Sequence, residues 1–135
     1  MTKDLHEPAP QPSEHPAIQP MVVSELLDGP EGLANDINER AAMGLEKYGT
    51  LLKPFNGRNA LNDLYQEILD AIVYARQAIY EKDFKRDYNA ISLESGARLE
   101  SSYQYLISMA SFIRNIKEDE QASPEALSEG SAHLP

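Results

Sequence analysis

The sequence predicts an all-α protein, and three apolar runs at helical spacing predict it. In the stretch Asn59–Tyr74, Leu61, Leu64, Ile68, Ala71 and Ile72 centre on one side of a helical wheel, with Ala75 continuing them. A second run, 30–48, and a third, 92–117, repeat apolar residues at steps of three and four. Proline and glycine punctuate the boundaries. The expected architecture is a helical bundle of about three to four main helices, with a flexible Pro-rich arm over 1–20, a helical domain over 21–118 and a disordered acidic tail over 119–135.

Taken in order, residues 1–20 hold Pro8, Pro10, Pro12, Pro16 and Pro20 among polar residues, a composition that neither buries a core nor continues a helix. Met21–Leu27 is a short apolar segment closed by Asp28-Gly29-Pro30, read as a helical or extended piece docked on the core. The first main helix, 30–48, has Pro30 near its first turn and Gly49 placed to end it in a left-handed cap. Leu33, Ile37, Ala41, Gly44, Leu45 and Tyr48 share its apolar face, where Gly44 suggests a close helix crossing. The connection 49–58 contains Pro54 and Asn56-Gly57, which enforce turns. The central helix is expected over 59–81, followed by a polar helix end and turn over 81–87. In the last helix, 92–117, the apolar series is Leu93, Leu99, Tyr103, Leu106, Ile107, Ala110, Ile113 and Ile116.

Composition narrows the chemistry. The chain has 135 residues, the length of one domain, with 12 Lys plus Arg against 22 Asp plus Glu, a net charge of −10. That balance argues against a nucleic-acid backbone or an anionic membrane as partner, but a few local cations with metal can still hold a nucleotide. No cysteine is present, which excludes disulfides, thiolate zinc sites and cysteine nucleophiles. His6, His15 and His133 lie in the ends, so a metal inside the fold must be held by carboxylates. No apolar run approaches membrane-spanning length and none follows a basic start as a secretory signal would, so a soluble cytoplasmic protein is expected.

Two helices carry an acidic edge. On the central helix Asp63, Glu67, Asp70 and Tyr74 fall in one stripe, and on the first main helix Asp36, Glu39, Met43 and Glu46 do the same. Asp36 and Glu39 lie three apart, as do Glu67 and Asp70, so each pair projects from one helical turn toward one side. If the helices pack antiparallel, four hard oxygen ligands converge, a donor set suited to Mg²⁺ or Mn²⁺. The plain alternative is a solvated face. Lys47, Lys53 and Arg58 add positive charge around the intervening loop, and Tyr48 and Phe55 add aromatic faces.

The pattern Asp36-x-x-Glu39 followed a helix and loop later by Glu67-x-x-Asp70 resembles the E-x-x-E … E-x-x-D metal signature of the all-α nucleoside triphosphate pyrophosphatases, the MazG, dimeric dUTPase and dCTPase superfamily. Ala42-Met43-Gly44-Leu45-Glu46-Lys47-Tyr48-Gly49-Thr50 and Pro54-Phe55-Asn56-Gly57-Arg58 resemble its phage branch, the MazG-like dATP/dGTP diphosphohydrolases (MazZ) of phages that replace adenine with 2-aminoadenine. The resemblance covers roughly residues 30–80. It implies a MazG-like bundle and a Mg²⁺- or Mn²⁺-dependent enzyme that cleaves dGTP or dATP to the monophosphate and pyrophosphate. It also implies a homodimer or homotetramer, in the host-cell cytoplasm if the chain is phage-encoded.

Asp36, Glu39, Glu67 and Asp70 become the implied metal ligands, with Glu39, Glu67 and Glu46 as catalytic candidates. Lys47, Lys53 and Arg58 are candidates for the phosphates, and Tyr48, Phe55 and Asn56 for the base. One departure stands out: the first signature acid is aspartate, and Glu46, one turn beyond Met43, is an alternative ligand or base. Competing readings are a housekeeping pyrophosphatase for other nucleotides, such as dUTP or dCTP, and a non-enzymatic acidic helical phage protein that occupies a basic surface.

Overall fold

The computed structural model describes residues 8–85 and 90–122. Its described residues form four α-helices and no strand: α1 (Ile18–Glu25), α2 (Leu33–Tyr48), α3 (Ala60–Lys85) and α4 (Ala90–Ala122). They fall into two compact units, one ending at Arg58 and one beginning at Asn59. No helix among the described residues is long and apolar enough to cross a membrane.

In the first unit α1 packs against α2. The short segment expected over 21–27 is helical and begins earlier, at Ile18, with Pro20 inside it. Proline fits there because amides of a first turn have no intrahelical acceptor to lose. Ala17, at the cap position, offers no side-chain bond. The loop supplies a cap instead, the Leu52 carbonyl accepting the Ile18 N–H at 2.8 Å, and Gln19 Oε1 in turn accepts the Leu52 N–H at 3.0 Å.

Helix α2 starts three residues beyond Pro30, after a left-handed Gly32. It ends as the sequence predicts, at Gly49 with φ 76°, whose N–H donates to the Leu45 carbonyl at 2.8 Å. A side chain there would be strained, which explains the glycine. Ala34, Ile37, Ala41 and Gly44 are the partly covered positions, whereas Leu33, Leu45 and Tyr48 are exposed. The close crossing expected at Gly44 is not present among the described residues: a Cβ built on it meets nothing within 4 Å.

The second unit is a pair of long helices. Asn59 caps α3, its Oδ1 accepting the Asn62 N–H at 3.0 Å while its carbonyl accepts the Asp63 N–H at 3.0 Å. Asp63 stands in the first turn, where its charge complements the helix dipole. The helix runs four residues past the expected end, through Lys82–Lys85. Helix α4 runs antiparallel to α3: Lys117 reaches the start of α3, and the aliphatic part of Lys82, near its end, lies 3.7 Å from a Cβ built on Gly96.

Burial follows the heptad-like rows Leu61, Tyr65, Ile68, Ile72, Ala75, Ile79 on α3 and Leu99, Tyr103, Leu106, Ala110, Ile113, Lys117 on α4. Ile68, Ile79 and Ala110 are the buried apolar residues, at 5, 3 and 8 % exposure. The antiparallel register sets small Ala110 level with Ile68, the alternation of sizes that lets two helices close up. At the unit's end Lys117 Nζ donates to Asn62 Oδ1 at 2.7 Å and sits 4.5 Å above the Tyr65 ring.

Apolar residues remain in water. On α4, Tyr105, Met109, Phe112 and Ile116 form a second stripe on the side away from the α3-facing row, and all four are exposed. Leu69 and Val73 on α3 are exposed as well. Helix α4 extends to Ala122, four residues beyond the expected domain end, with Arg114 pairing to Glu118 at 3.3 Å one turn apart. Residues 86 and 87 of the polar turn, 1–7 of the arm and 123–135 of the tail lie outside the described residues.

Candidate functional site

The acidic edges are where helical spacing puts them. Asp36 and Glu39 occupy neighbouring positions on α2, with Glu46 two turns beyond Glu39, and all three are exposed. On α3 Glu67 is exposed and Asp70 half-buried, one turn apart. Each pair offers two carboxylates from adjacent helical positions, the hard oxygen donor type that Mg²⁺ and Mn²⁺ take. The two pairs belong to different units. Among the described residues no group of three or more histidines or carboxylates is gathered closely enough to hold one metal ion.

The cations around the connection are each engaged. Lys47 Nζ lies 5.1 Å from the centre of the Tyr48 ring, a cation–π contact at the end of α2. Lys53 Nζ donates to the Ser13 carbonyl at 3.3 Å, and Arg58 Nη1 donates to the Pro8 carbonyl at 2.7 Å. Both acceptors are main-chain oxygens of the Pro-rich segment. Residues 8–17, free of helix, lie along the loop and are tied to it again by the Gln11 N–H, which donates to the Asn56 carbonyl at 2.6 Å.

The loop's shape comes from two left-handed residues. Pro54 is followed by Phe55 at φ 55° and, after Asn56, by Gly57 at φ 83°. Glycine adopts this conformation freely, but for Phe55 it costs about 1–2 kcal/mol. What offsets part of that is the His15 ring, 4.6 Å from the Phe55 ring centre and tilted by 52°. Phe55 is otherwise open, at 81 % exposure. Asn56 is the opposite case: at 9 % exposure it is buried, and its Oδ1 accepts the Arg58 N–H at 3.1 Å, closing a turn over Gly57.

The structure therefore gathers Lys53, Phe55, Asn56 and Arg58 into one loop, with Lys47 and Tyr48 at the helix end that leads into it. It also adds a group that the sequence reading left in the tail, since His15 stands against Phe55. No side-chain signal announces the arm contacts, because the oxygens facing Lys53 and Arg58 are backbone carbonyls. A shallow groove of about 330 Å³ on α4, lined by Ile107, Ser108, Ser111, Phe112 and Asn115, holds none of the candidate residues and no charged group. Comparisons with family models, with curated proteins and with solved structures find no match to this chain.

Proposed function

We propose that the protein is a MazG-like, Mg²⁺- or Mn²⁺-dependent nucleoside triphosphate pyrophosphohydrolase. It cleaves dGTP or dATP between the α and β phosphates, in nucleotide-pool remodelling for 2-aminoadenine DNA in a phage-infected cell's cytoplasm. The observation that carries this reading is the sequence of parts along the chain. An acid pair on α2, a loop with Lys47, Lys53 and Arg58, and an acid pair on α3 follow one another within residues 36–70.

Asp36, Glu39, Glu67 and Asp70 would hold the metal, which when bound neutralises polyphosphate charge and activates the attacking water. A carboxylate oxygen of Glu39, Glu67 or Glu46 takes the proton that water gives up as it attacks the α-phosphorus. Lys47, Lys53 and Arg58 hold the departing pyrophosphate, whose charge grows as the bond breaks. Tyr48, Phe55 and Asn56 face the base. The products are the nucleoside monophosphate and pyrophosphate.

A homodimer or homotetramer is part of the proposal. The exposed stripe Tyr105, Met109, Phe112, Ile116 supports it, because a single chain leaves these side chains in water and a second copy would cover them.

The test is Glu67→Gln. Glu67 is exposed, so the substitution leaves packing intact. The expected outcome is lost turnover and lost stabilisation by Mn²⁺, with the melting temperature of the metal-free protein unchanged. Products are identified with each triphosphate in turn, and orthophosphate as product, or no turnover of any nucleotide, refutes α–β cleavage.

A second reading is an acidic helical protein that occupies a partner's basic surface. The net charge of −10 and the exposure of Asp36, Glu39, Glu46 and Glu67 favour it. In that case Glu67→Gln leaves metal response unchanged, and binding to the partner weakens with salt.

A further inference from the structure

We infer that a second copy of this chain packs antiparallel on the outer row of α4, with a two-fold axis between Met109 and Phe112. The inference rests on the homo-oligomer of the proposed function, whose surface and orientation it names, and it does not depend on the catalysis. Helix α4 carries two rows with the spacing of a helix seam. The row facing α3 takes every buried or partly covered position of α4 among the described side chains, at alternating steps of three and four. A second row at the same spacing runs Tyr105, Met109, Phe112, Ile116, roughly 110° round the helix, and its exposures are 72, 48, 71 and 45 %. Two helices that meet along one seam bury little. Among the described residues Ile68, Ile79 and Ala110 are the buried apolar ones, so the outer row is apolar surface still in need of cover.

The order of residues in the row selects its own copy. Read in opposite directions, Tyr105 stands opposite Ile116 and Met109 opposite Phe112, and the same two layers repeat across the axis. Each aromatic ring then meets an aliphatic or thioether side chain, which sets broad against narrow and gives Phe112 a sulfur contact. A parallel pair instead sets Tyr105 on Tyr105 and Phe112 on Phe112. Charge selects the same orientation. The row is followed by Glu118, Asp119 and Glu120, and parallel copies bring these two acid runs together in a protein whose net charge is −10. Antiparallel copies hold the runs roughly 25 Å apart at 1.5 Å per residue, well beyond a Debye length of about 8 Å. On the order of 1,000 Å² leaves water when both copies bury these four side chains, the size at which specific interfaces begin.

The experiment measures sedimentation, melting and a spin-label distance on the full chain. No cysteine is present, so Ser101→Cys, at an exposed position beside the row, carries a single label. Antiparallel copies place two such labels roughly 30 Å apart along the axis, whereas parallel copies bring them within about 15 Å. The expected result is the longer distance, in a chain that sediments as two or more copies and melts at a temperature that rises with protein concentration. Phe112→Glu should raise the dissociation constant about a hundredfold or more, while Gln104→Glu, well round α4 from the row, leaves it unchanged. A label distance near 15 Å, or an assembly that Phe112→Glu leaves intact, overturns the antiparallel α4 pairing while the homo-oligomer survives in another arrangement. A chain that is monomeric at every concentration overturns both. The label leaves the four apolar side chains in place, so its distance decides even if Phe112→Glu fails to fold.

Discussion

Asn56→Ala separates two roles for one residue. The sequence suggests a base contact, while the structure buries Asn56 to 9 % exposure between left-handed Phe55 and Gly57. Its Oδ1 accepts the Arg58 N–H at 3.1 Å, and its carbonyl accepts the Gln11 N–H at 2.6 Å. Alanine removes the first bond outright, worth about 0.5–1.5 kcal/mol net, and with it the fixed orientation of the peptide that makes the second. Loss of the buried amide's contacts adds to this, so the loop should open more easily by about 1–2 kcal/mol. That corresponds to a roughly five- to thirtyfold fall in protection of the Gln11 and Arg58 amides. Hydrogen exchange read amide by amide is the assay, with the α3 amides as an internal reference because they belong to the other unit. Asn56→Asp keeps an acceptor of the same reach and should restore protection at Arg58. If Asn56→Ala leaves both amides protected and changes only the KM or base preference of turnover, the structural role argued here is refuted and the base contact stands.

Other expectations follow from packing. Ile79→Ala, at 3 % exposure in the α3–α4 seam, should cost about 2–5 kcal/mol in urea unfolding, a large share of a small domain's stability. Val73→Ala on the exposed flank should stay within about 0.5 kcal/mol, and a cost above 1 kcal/mol that grows with protein concentration would show that flank covered in solution. Gly49→Ala should lose about 1 kcal/mol, because φ 76° at the end of α2 is unfavourable for any residue with a Cβ, and the loss should appear as fraying of the last turn in hydrogen exchange. Lys117→Met should cost about 1–2 kcal/mol in urea unfolding through loss of the 2.7 Å bond to Asn62 and the contact with the Tyr65 ring, and no change in stability would show those contacts carry no weight.

What could be read from the sequence was whatever a few adjacent residues decide. The end of α2 at Gly49 and the start of α3 at Asn59 were legible because a left-handed cap and an Asx side chain act within one turn. Leu61, Ile68, Ile72 and Ala75 of the covered row of α3 were legible because burial follows the helical period over about five turns, whereas Leu64, placed on the same face by the sequence, is exposed at 45 %. The start of α1 was not, since Pro20 looks like a barrier until its position in a first turn is known. Its amide cap also comes from Leu52, far along the chain. Gly44 misled for the opposite reason: glycine in a helix signals a close neighbour only where one is present, and no described atom stands within 4 Å of its missing Cβ.

The candidate site divides along the same line. Within a pair, Asp36 with Glu39 or Glu67 with Asp70, adjacency on one helix is local geometry and the sequence shows it. The loop's charges are another matter, because residues 8–13 meet Lys53 and Arg58 with main-chain oxygens, which every residue carries and no composition reveals. Lys47, Lys53 and Arg58 are three of the chain's 12 cations, set in a protein with 22 acids. Among their partners are the Tyr48 ring for Lys47, the Ser13 carbonyl for Lys53 and the Pro8 carbonyl for Arg58. A lysine or arginine held by a carbonyl oxygen leaves no trace in residue spacing, so the contacts of this loop with residues 8–13 are legible only in the structure.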